Sequence, residues 1–295
     1  MRTLFVCAGA VLLTSASPAP PSCRLDHAVT PAGTIAYRDC GPGDPVIIIP
    51  GGPGLDASYI APLARMVSQL GHRAILIEPR GTGASRAALG DGGRLTVAGS
   101  VADVEAVRRA AGVDRVTVLG HSFGGGVAQA YAASQPGHVA SLILMDSVGP
   151  DMGPGHPAAD GWRQRLTPAE LNRYDAARAG NDRVTAMRIK FRASFYDAAR
   201  GKAFVDGLRG EAIHLDVAPL SASYERDFRV TRSASIAFRV TILAGEIDWI
   251  RGNEPALRAV YPGARTIVIP HAGHFPWAEA PAATRGALSQ ALGGR

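Results

Sequence analysis

A serine lies between glycines where a predicted strand gives way to a predicted helix. The run Gly120–Gly124 reads Gly-His-Ser-Phe-Gly, and it follows the strand-forming residues 116–119. Glycines allow a sharp turn between strand and helix, which exposes the serine hydroxyl at the positive end of the helix. The bare pattern occurs by chance, but its placement between a strand and a helix predicts that Ser122 is a nucleophile.

A serine hydroxyl is a poor nucleophile at neutral pH and needs a base, which an acidic residue orients. On a sheet with this kind of turn, the acid and the histidine follow the serine along the chain in that order. Asp248 comes shortly after the apolar run 240–243, and His274 lies in a loop after the run 266–269. The sequence therefore predicts a catalytic triad of Ser122, His274 and Asp248.

Other residues compete for these roles. Asp146 also follows a predicted strand and could serve as the acid, and Glu246 is a further candidate. His271 competes with His274 for the role of the base, but the glycine before His274 frees the loop and favours the latter. His121, inside the turn, is interpreted as a packed or solvated side chain.

The negative oxygen of a tetrahedral intermediate needs hydrogen-bond donors aimed at it. The amide after the nucleophile, that of Phe123, is one predicted donor. The second is expected from the loop Pro50–Gly54, whose glycines let the backbone approach a substrate closely. We assign this second donor to the amide of Gly52.

Six short apolar runs are typical of strands buried on both faces of a parallel sheet. They cover residues 46–49, 74–77, 116–119, 141–145, 240–243 and 266–269. Helical patterns follow several of them, at residues 59–70, 97–111, 123–134, 253–260 (with Asn253 as the predicted cap) and 281–292. This alternation predicts an α/β fold with a mostly parallel, doubly wound sheet.

Residues 150–229 contain no apolar run of this kind. Thr167–Glu170 reads as a capping box with proline at the first helical position. Amphipathic stretches follow at residues 183–199 and 203–209. We therefore predict a helical lid, inserted over the carboxyl edge of the sheet.

The first residues read as an export signal. The basic residue Arg2 is followed by the apolar stretch 3–13 and then by small residues and prolines. This is the order of a secretory signal peptide, and the apolar stretch is too short to span a bilayer. We predict that residues 1–22 form a signal peptide and a proline-rich leader, and that the protein is secreted or periplasmic. A lipid anchor on Cys23 is a minor alternative.

The cysteine count agrees with export. Cys7 would leave with the signal, so that Cys23 and Cys40 remain as an even pair. Two alternating stretches between them flank a predicted turn. If Thr30 lies opposite Gly33, the two sulfurs face each other across a hairpin and can form a disulfide. A one-residue bulge in the turn would make them diagonal neighbours instead.

With 295 residues, the chain has the length of one α/β domain, whose core is formed by residues 23–149 and 230–295. A hydrophobic content of 46% excludes intrinsic disorder. The net charge of +6 is scattered along the chain, so the sequence predicts neither nucleic-acid binding nor stable membrane insertion. No histidine pair has the spacing of a metal site, and no metal or other cofactor is expected.

These motifs resemble the α/β-hydrolase superfamily and, within it, the proline iminopeptidase-like group. Gly51–Gly54 is similar to the group's oxyanion loop, H-G-G-P-G, and Glu78–Ser85 is similar to its D-x-R-G-x-G-x-S loop. The resemblance extends from about residue 46 to residue 292. Pro50 stands where the group has histidine, which removes a side-chain hydrogen bond behind the loop, and Glu78 stands where aspartate is common.

The resemblance implies an α/β-hydrolase fold and a serine hydrolase that acts through an acyl-enzyme on a small-molecule or short-peptide substrate, and the predicted signal peptide adds that this hydrolase is exported. The resemblance favours the activity of a proline iminopeptidase, which releases N-terminal proline; the alternative is a carboxylesterase or lactonase that cleaves small esters. The peptidase would recognise the substrate amine through acidic lid residues, for which Asp206, Glu211, Asp216 and Glu225 are candidates. A hydrolase fold that only binds a small molecule or partner is the alternative from another class.

Overall fold

The structure, a computed structural model, describes residues 23–86, 95–151, 161–208, 218–231 and 236–293. The predicted signal peptide lies outside these residues. The described residues form one mixed sheet with helices on both faces. This is the predicted doubly wound α/β architecture.

Eight strands form the sheet. They are β1 (Cys23–Thr30), β2 (Gly33–Cys40), β3 (Pro45–Ile49), β4 (Arg73–Ile77), β5 (Val116–His121), β6 (Val139–Met145), β7 (Arg239–Gly245) and β8 (Arg265–Ile269). Their order is β1-β2-β4-β3-β5-β6-β7-β8. β2 runs antiparallel to both of its neighbours, and the pairs from β4 to β8 are parallel. Each of the six predicted runs falls inside one of the strands β3–β8, which confirms the mostly parallel sheet.

Burial on both faces explains why these strands read as apolar runs. Along β3, Ile47 and Ile49 pack into one layer of the core, whereas Val46 and Ile48 pack into the other. Successive side chains of a strand point to opposite faces, so a strand covered on both sides needs apolar residues at every position.

Helices cover the two faces, and all of them except the short α9 lie where the sequence predicted a helix. On one face lie α2 (Val97–Ala110), α3 (Phe123–Ser134) and α8 (Glu254–Val260), and on the other lie α1 (Ala61–Gln69), α9 (Pro276–Glu279) and α10 (Pro281–Ala291). Asn253 stands at the predicted N-cap position of α8, but its side chain makes no capping hydrogen bond. The helix continues directly from a 3₁₀ turn at residues 249–253, and it is the Asp248 side chain that caps this turn.

The segment between β6 and β7 is helical over most of its described residues. It contains α4 (Pro168–Ala179), α5 (Arg183–Ala193), α6 (Ala198–Gly207) and α7 (Ala218–Asp227). Its two ends are adjacent, because the amide of Val230 donates to the carbonyl of Pro150 at 2.8 Å. Across the part of the chain that the structure describes, no helix has the length and apolarity needed to cross a membrane.

The predicted helix 183–199 is in fact two helices. α5 ends at Ala193, and Asp197 begins α6 by accepting hydrogen bonds from the amides of Ala199 and Arg200 at 2.8 and 3.0 Å. Because this aspartate is a favourable N-cap, α6 starts earlier than predicted. The sequence pattern did not indicate α7.

The N-terminal hairpin has the predicted register. Thr30 lies opposite Gly33, and Cys23 lies opposite Cys40. The two sulfurs form a disulfide, and the Cα atoms of the two cysteines are 4.2 Å apart. A sulfur in a disulfide carries no lipid, so this bond argues against a lipid anchor on Cys23.

Candidate active site

Ser122 lies between β5 and α3 in a backbone conformation that is rare for a residue with a side chain. Its φ is 55° and its ψ is −122°. Such a conformation persists only where the surroundings hold it. Here the Ser122 amide donates to the carbonyl of Met145 at 3.0 Å, and the Ser122 carbonyl accepts the amides of Gly125 and Val148 at 2.9 and 3.2 Å.

Close backbone contacts require the glycines of the Gly-x-Ser-x-Gly pattern. A Cβ atom on Gly120 would lie 2.3 Å from the carbonyl oxygen of Gly124, and one on Gly124 would lie 2.3 Å from that of Ile49. Backbone atoms cannot move aside as the end of a flexible side chain can. The two glycines therefore let α3 approach the ends of β5 and β3 closely enough to fix Ser122.

The structure brings the three residues of the predicted triad together. Ser122 Oγ lies 2.9 Å from His274 Nε2, and His274 Nδ1 lies 2.9 Å from Asp248 Oδ2. All three residues are less than a tenth exposed. An ionised carboxylate can only accept hydrogen bonds, so Nδ1 carries a proton and Nε2 is left to accept from the serine hydroxyl. The imidazole is thus placed as a base toward Ser122.

Burial governs the protonation of His274 and Asp248. Burial, with a smaller contribution from the positive charge of Lys190, lowers the pKa of His274 to about 4. Burial raises the pKa of Asp248 to about 7, and the positive charges of Arg251 and Arg165 oppose this rise. The low pKa keeps the imidazole neutral, and this is the form that can take a proton from Ser122.

Asp146, the alternative acid, is buried beside Asp248 at the end of β6. Its Oδ1 accepts the amide of Gly245 at 2.7 Å, whereas Nδ1 of His274 is bonded to Asp248. Burial, reinforced by the charge of Asp248, raises the pKa of Asp146 well above its ordinary range. A protonated Asp146 can donate a hydrogen bond to Asp248 and favour the ionised form of that carboxylate.

Glu246, the other alternative acid, and His271, the alternative base, are hydrogen-bonded to each other at the surface. An oxygen of the Glu246 carboxylate accepts the backbone amide of His271 at 2.8 Å, and both residues are exposed. The ring of His271 packs against the ring of Tyr196, with their centres 5.4 Å apart. The imidazole that is hydrogen-bonded to Ser122 belongs to His274.

The loop of His274 is fixed by residues that the sequence did not indicate. The His274 amide donates to the carbonyl of Ser194, between α5 and α6, at 2.8 Å. The carboxylate of Glu279 accepts the amides of Gly273 and Tyr196, both at 2.6 Å. A Cβ atom on Gly273 would lie 2.1 Å from the Ser194 carbonyl oxygen. The glycine before His274 therefore permits a close approach rather than freeing the loop.

The predicted oxyanion loop lies against Ser122. A Cβ atom on Gly51 would lie 2.7 Å from the Cβ of Ser122. The Gly51 amide donates to the hydroxyl of Tyr59 at 2.6 Å, so the amide of Gly52 is the next one that could face a substrate. Gly52 has a φ of 126°, a conformation that favours glycine. The amide of Phe123 belongs to the first turn of α3, where amides have no partner within the helix.

A pocket opens beside this loop and Phe123. Many of its lining side chains are apolar: Ile49, Ile77, Leu95, Val104, Val127 and Leu220. A buried ion pair also reaches the wall, in which Arg80 Nε donates to Asp103 Oδ2 at 2.9 Å. Because the two charges of this pair neutralise each other, the pocket suits an uncharged, apolar group.

A positive charge lies near the imidazole on the side of the helical segment. Lys190 Nζ, on α5, lies 5.0 Å from the ring centre of Trp249 and 5.7 Å from that of Trp162. The ring of Trp249 in turn lies 5.6 Å from that of His274. These distances are in the range of cation–π contacts, which hold the ammonium group close to the site.

The acidic residues predicted to bind a substrate amine are found elsewhere or are not described. Asp206 is exposed and pairs with Lys202 at 2.5 Å. Glu225 is exposed on α7. Glu211 and Asp216 lie outside the described residues.

Comparison with known proteins identifies the family. Residues 44–281 match the sequence model of the alpha/beta hydrolase fold family, and the chain therefore belongs to this family. It is 36% identical over 112 residues to a proline iminopeptidase of Xylella fastidiosa, an alignment that covers 37% of this chain and 34% of that protein. It is 32% identical over 114 residues to a 2-hydroxy-6-oxononadienedioate/2-hydroxy-6-oxononatrienedioate hydrolase of Klebsiella pneumoniae, with 38% of this chain and 39% of that protein covered.

These alignments span about two fifths or less of the length of the two relatives. Among solved structures, an esterase from Thermogutta terrifontis superposes with a TM-score of 0.64 at 21% identity, over 91% of this chain and 98% of that one. This structural likeness concerns the fold alone.

Proposed function

We propose that the protein is an exported serine hydrolase that cleaves small acyl substrates through an acyl-enzyme. One observation carries the proposal: the hydrogen-bonded chain from Ser122 Oγ through His274 to Asp248, with both links at 2.9 Å. A serine hydroxyl bonded to a neutral, oriented imidazole is the arrangement that nucleophilic acyl transfer requires.

The reaction has two halves. In the first, Ser122 Oγ attacks the substrate carbonyl while His274 Nε2 takes the hydroxyl proton, and Asp248 stabilises the imidazolium that forms. The amides of Gly52 and Phe123 stabilise the oxyanion, and the imidazolium then gives its proton to the leaving group. In the second half, water attacks the acyl-enzyme with His274 again as the base, which releases the acid and restores Ser122.

Labelling with a fluorophosphonate probe tests the nucleophile. We expect the folded wild-type protein to be labelled at Ser122 and the Ser122→Ala variant to remain unlabelled. Ser141→Ala is the matched control, because Ser141 is a buried serine of the same sheet whose hydroxyl is bonded to Thr117 at 2.9 Å. A wild-type protein that unfolds cooperatively on heating, yet takes no label, would contradict the proposal and favour a hydrolase fold that only binds.

Within this activity, the charges of the site favour small esters over N-terminal proline peptides. A free substrate amine is a cation and needs negative groups around it. The charged side chain that lies over Trp249, beside His274, is instead that of Lys190. The apolar pocket beside the oxyanion loop is a suitable site for an uncharged acyl group.

Proline iminopeptidase activity is the second candidate, and the identity to the Xylella fastidiosa enzyme favours it. Two 4-nitrophenyl esters separate the candidates: the cyclopentanecarboxylate and the prolinate, which share ring size and leaving group and differ in the amine. We expect a higher kcat/KM for the cyclopentanecarboxylate, with Ser122→Ala inactive on both. A clear preference for the prolinate would instead support the peptidase.

Export is proposed from the leader at residues 1–22 and is supported by the disulfide between Cys23 and Cys40, because disulfides persist in oxidising compartments. Expression of the full chain, followed by fractionation and N-terminal sequencing, tests this. We expect a protein outside the cytoplasm that has lost the leader. A protein that keeps Met1 and stays in the cytoplasm would overturn the proposal.

A further inference from the structure

A chain of buried hydrogen bonds connects the oxyanion loop to the loop of His274. The Gly51 amide lies 2.6 Å from the hydroxyl of Tyr59, and this hydroxyl lies 2.9 Å from Nδ1 of His121. Nε2 of His121 lies 2.8 Å from the carbonyl oxygen of His274. Tyr59 and His121 are 4% and 1% exposed, so bulk water does not compete for these bonds.

The direction of each bond in this chain can be assigned. The carbonyl of His274 can only accept, so Nε2 of His121 carries a proton. The amide of Gly51 can only donate, so the hydroxyl oxygen of Tyr59 accepts from it. A neutral His121 then has an unprotonated Nδ1, which accepts the hydroxyl proton of Tyr59. Every donor in the chain therefore has an acceptor.

The surroundings of His121 favour the neutral ring. Its centre lies 4.8 Å from that of the His274 ring and 4.7 Å from that of the Trp277 ring. Burial, together with the neighbouring His274, lowers the pKa of His121 well below its ordinary range. A charged His121 would repel the imidazolium that forms on His274 during the reaction, whereas a neutral ring does not.

We propose that Tyr59 and His121 are positioning residues that hold the oxyanion loop and the His274 loop in a fixed arrangement. The inference rests on the proposed hydrolase function. By engaging the Gly51 amide, the hydroxyl of Tyr59 leaves the Gly52 amide as the donor of this loop toward a substrate. By donating to the carbonyl of His274, His121 fixes the backbone that carries the base.

Tyr59→Phe is the least disruptive way to break the chain, because it removes the hydroxyl and keeps the ring. We expect kcat to fall about 10- to 100-fold while KM changes less than about threefold, since the oxyanion donors act mainly in the transition state. Tyr131→Phe is the matched control. Tyr131 is also a buried tyrosine, and its hydroxyl donates to Glu105 at 2.9 Å, away from the site, so this variant should keep wild-type kcat.

A pair of inhibitors separates positioning from a general loss of structure. Ser122 Oγ adds to the carbonyl carbon of a trifluoromethyl ketone, and the proton of the Ser122 hydroxyl moves to His274. The carbonyl oxygen of the inhibitor then becomes negative and faces the oxyanion donors. The methyl ketone with the same acyl group binds as an uncharged carbonyl. We expect Tyr59→Phe to lower the affinity for the trifluoromethyl ketone about tenfold or more and to leave the affinity for the methyl ketone nearly unchanged.

A conservative change at His121 completes the test. His121→Gln keeps one donor and one acceptor, so it should retain more activity than His121→Leu, which keeps neither. If Tyr59→Phe matches Tyr131→Phe in kcat and in the affinity for both ketones, the positioning role is wrong, while labelling of Ser122 would leave the proposed function intact. If the wild-type protein is not labelled, the proposed function itself fails.

Discussion

The carboxyl edge of the sheet and α4, in the helical segment between β6 and β7, hold their residues in different ways. At the edge, Ser122, Asp248 and His274 are buried, and the glycines around them touch backbone atoms of other strands and loops. In the helical segment, Ala177 is the buried residue of α4. The start of that helix is stabilised by its own capping box, in which Thr167 bonds to Glu170.

This difference indicates how far the effect of a substitution should spread. A residue at the edge depends on parts of the chain that are distant in sequence, so its loss should change both stability and chemistry. The capping bonds of α4 join neighbours within one helical turn, so their loss should be felt locally. The helical segment contacts the candidate active site at a few points, such as the hydrogen bond from the His274 amide to the Ser194 carbonyl.

The two carboxyl groups at the edge provide the largest expected contrast. Asp248→Asn should lower kcat/KM at least about 10³-fold, because an amide neither stabilises the imidazolium nor keeps the correct tautomer of His274. Asp146→Asn should lower it less than about threefold, because the amide still accepts from Gly245 and still donates toward Asp248. Steady-state kinetics on an ester substrate measures both values.

Thermal unfolding of Asp248→Asn and Asp146→Asn shows whether the loss of kcat/KM in either variant merely reflects misfolding. Equal losses of kcat/KM in two well-folded variants would show that Asp146 carries a charge in the wild-type protein. In that case, the assignment of Asp248 as the only acid of the site is wrong.

Two glycines, one at the sheet edge and one in the helical segment, allow the two regions to be compared by the free energy of unfolding. A Cβ atom on Gly124 would lie 2.3 and 2.4 Å from the carbonyl oxygens of Ile49 and Pro50, whereas one on Gly207, at the end of α6, would meet nothing within 4 Å. We expect Gly124→Ala to lower the free energy of unfolding by about 3 kcal/mol. Gly207→Ala should change it by no more than about 0.5 kcal/mol, in the stabilising direction. Similar changes in the two denaturant midpoints would contradict the contrast.

The parts of the molecule that could be predicted from the sequence depend on local signals. The runs that became β3–β7 are apolar at nearly every position because both faces are covered, and this is visible without knowing the partners. In the edge strand β8 the same kind of run leaves Val268 exposed. The glycines around Ser122 are close together in sequence, because the turn they permit is itself local. Asp248 and His274 could be proposed because each follows such a strand.

The parts that could not be predicted depend on contacts between distant residues. The carboxylate of Glu279 accepts amides from Gly273 and from Tyr196, and its own neighbourhood in the sequence gives no sign of this. Tyr59 and His121 are joined across 62 residues, so that the role of His121 is invisible in the motif that contains it. Similarly, a strong N-cap at Asp197 divides a stretch whose amphipathic pattern is continuous.

The same kind of capping bond begins α4 and also begins α2, a helix that packs on the sheet, and the pair tests whether the loss of such a bond stays local. The Thr167 hydroxyl accepts the amide of Glu170 in α4, and the Thr96 hydroxyl accepts the amide of Gly99 in α2, which packs on the sheet. Each change to alanine removes a bond worth about 1 kcal/mol. We expect Thr167→Ala to speed amide hydrogen exchange in the first turn of α4 more than Thr96→Ala speeds it in the first turn of α2, because α2 is also held by its packing on the sheet.

Neither capping variant should change kcat/KM by more than about twofold, because neither residue touches the site. Slower exchange in α4 than in α2 after these changes would contradict the contrast between the two regions.

The smallest expected effect is electrostatic and acts from the helical segment on the edge. After burial, the charge of Lys190 is a further cause of the lowered pKa of His274. Lys190→Gln removes this charge, so the pKa of His274 should rise by about 0.3 pH unit. In the proposed mechanism the neutral imidazole is the active form, so activity is lost as the pH falls through this pKa, and the acid limb of kcat/KM should move to higher pH. Lys190→Arg keeps the charge and should leave the acid limb at the same pH. An acid limb that does not move in Lys190→Gln, or that moves to lower pH, would mean that α5 influences the imidazole of His274 through contacts alone.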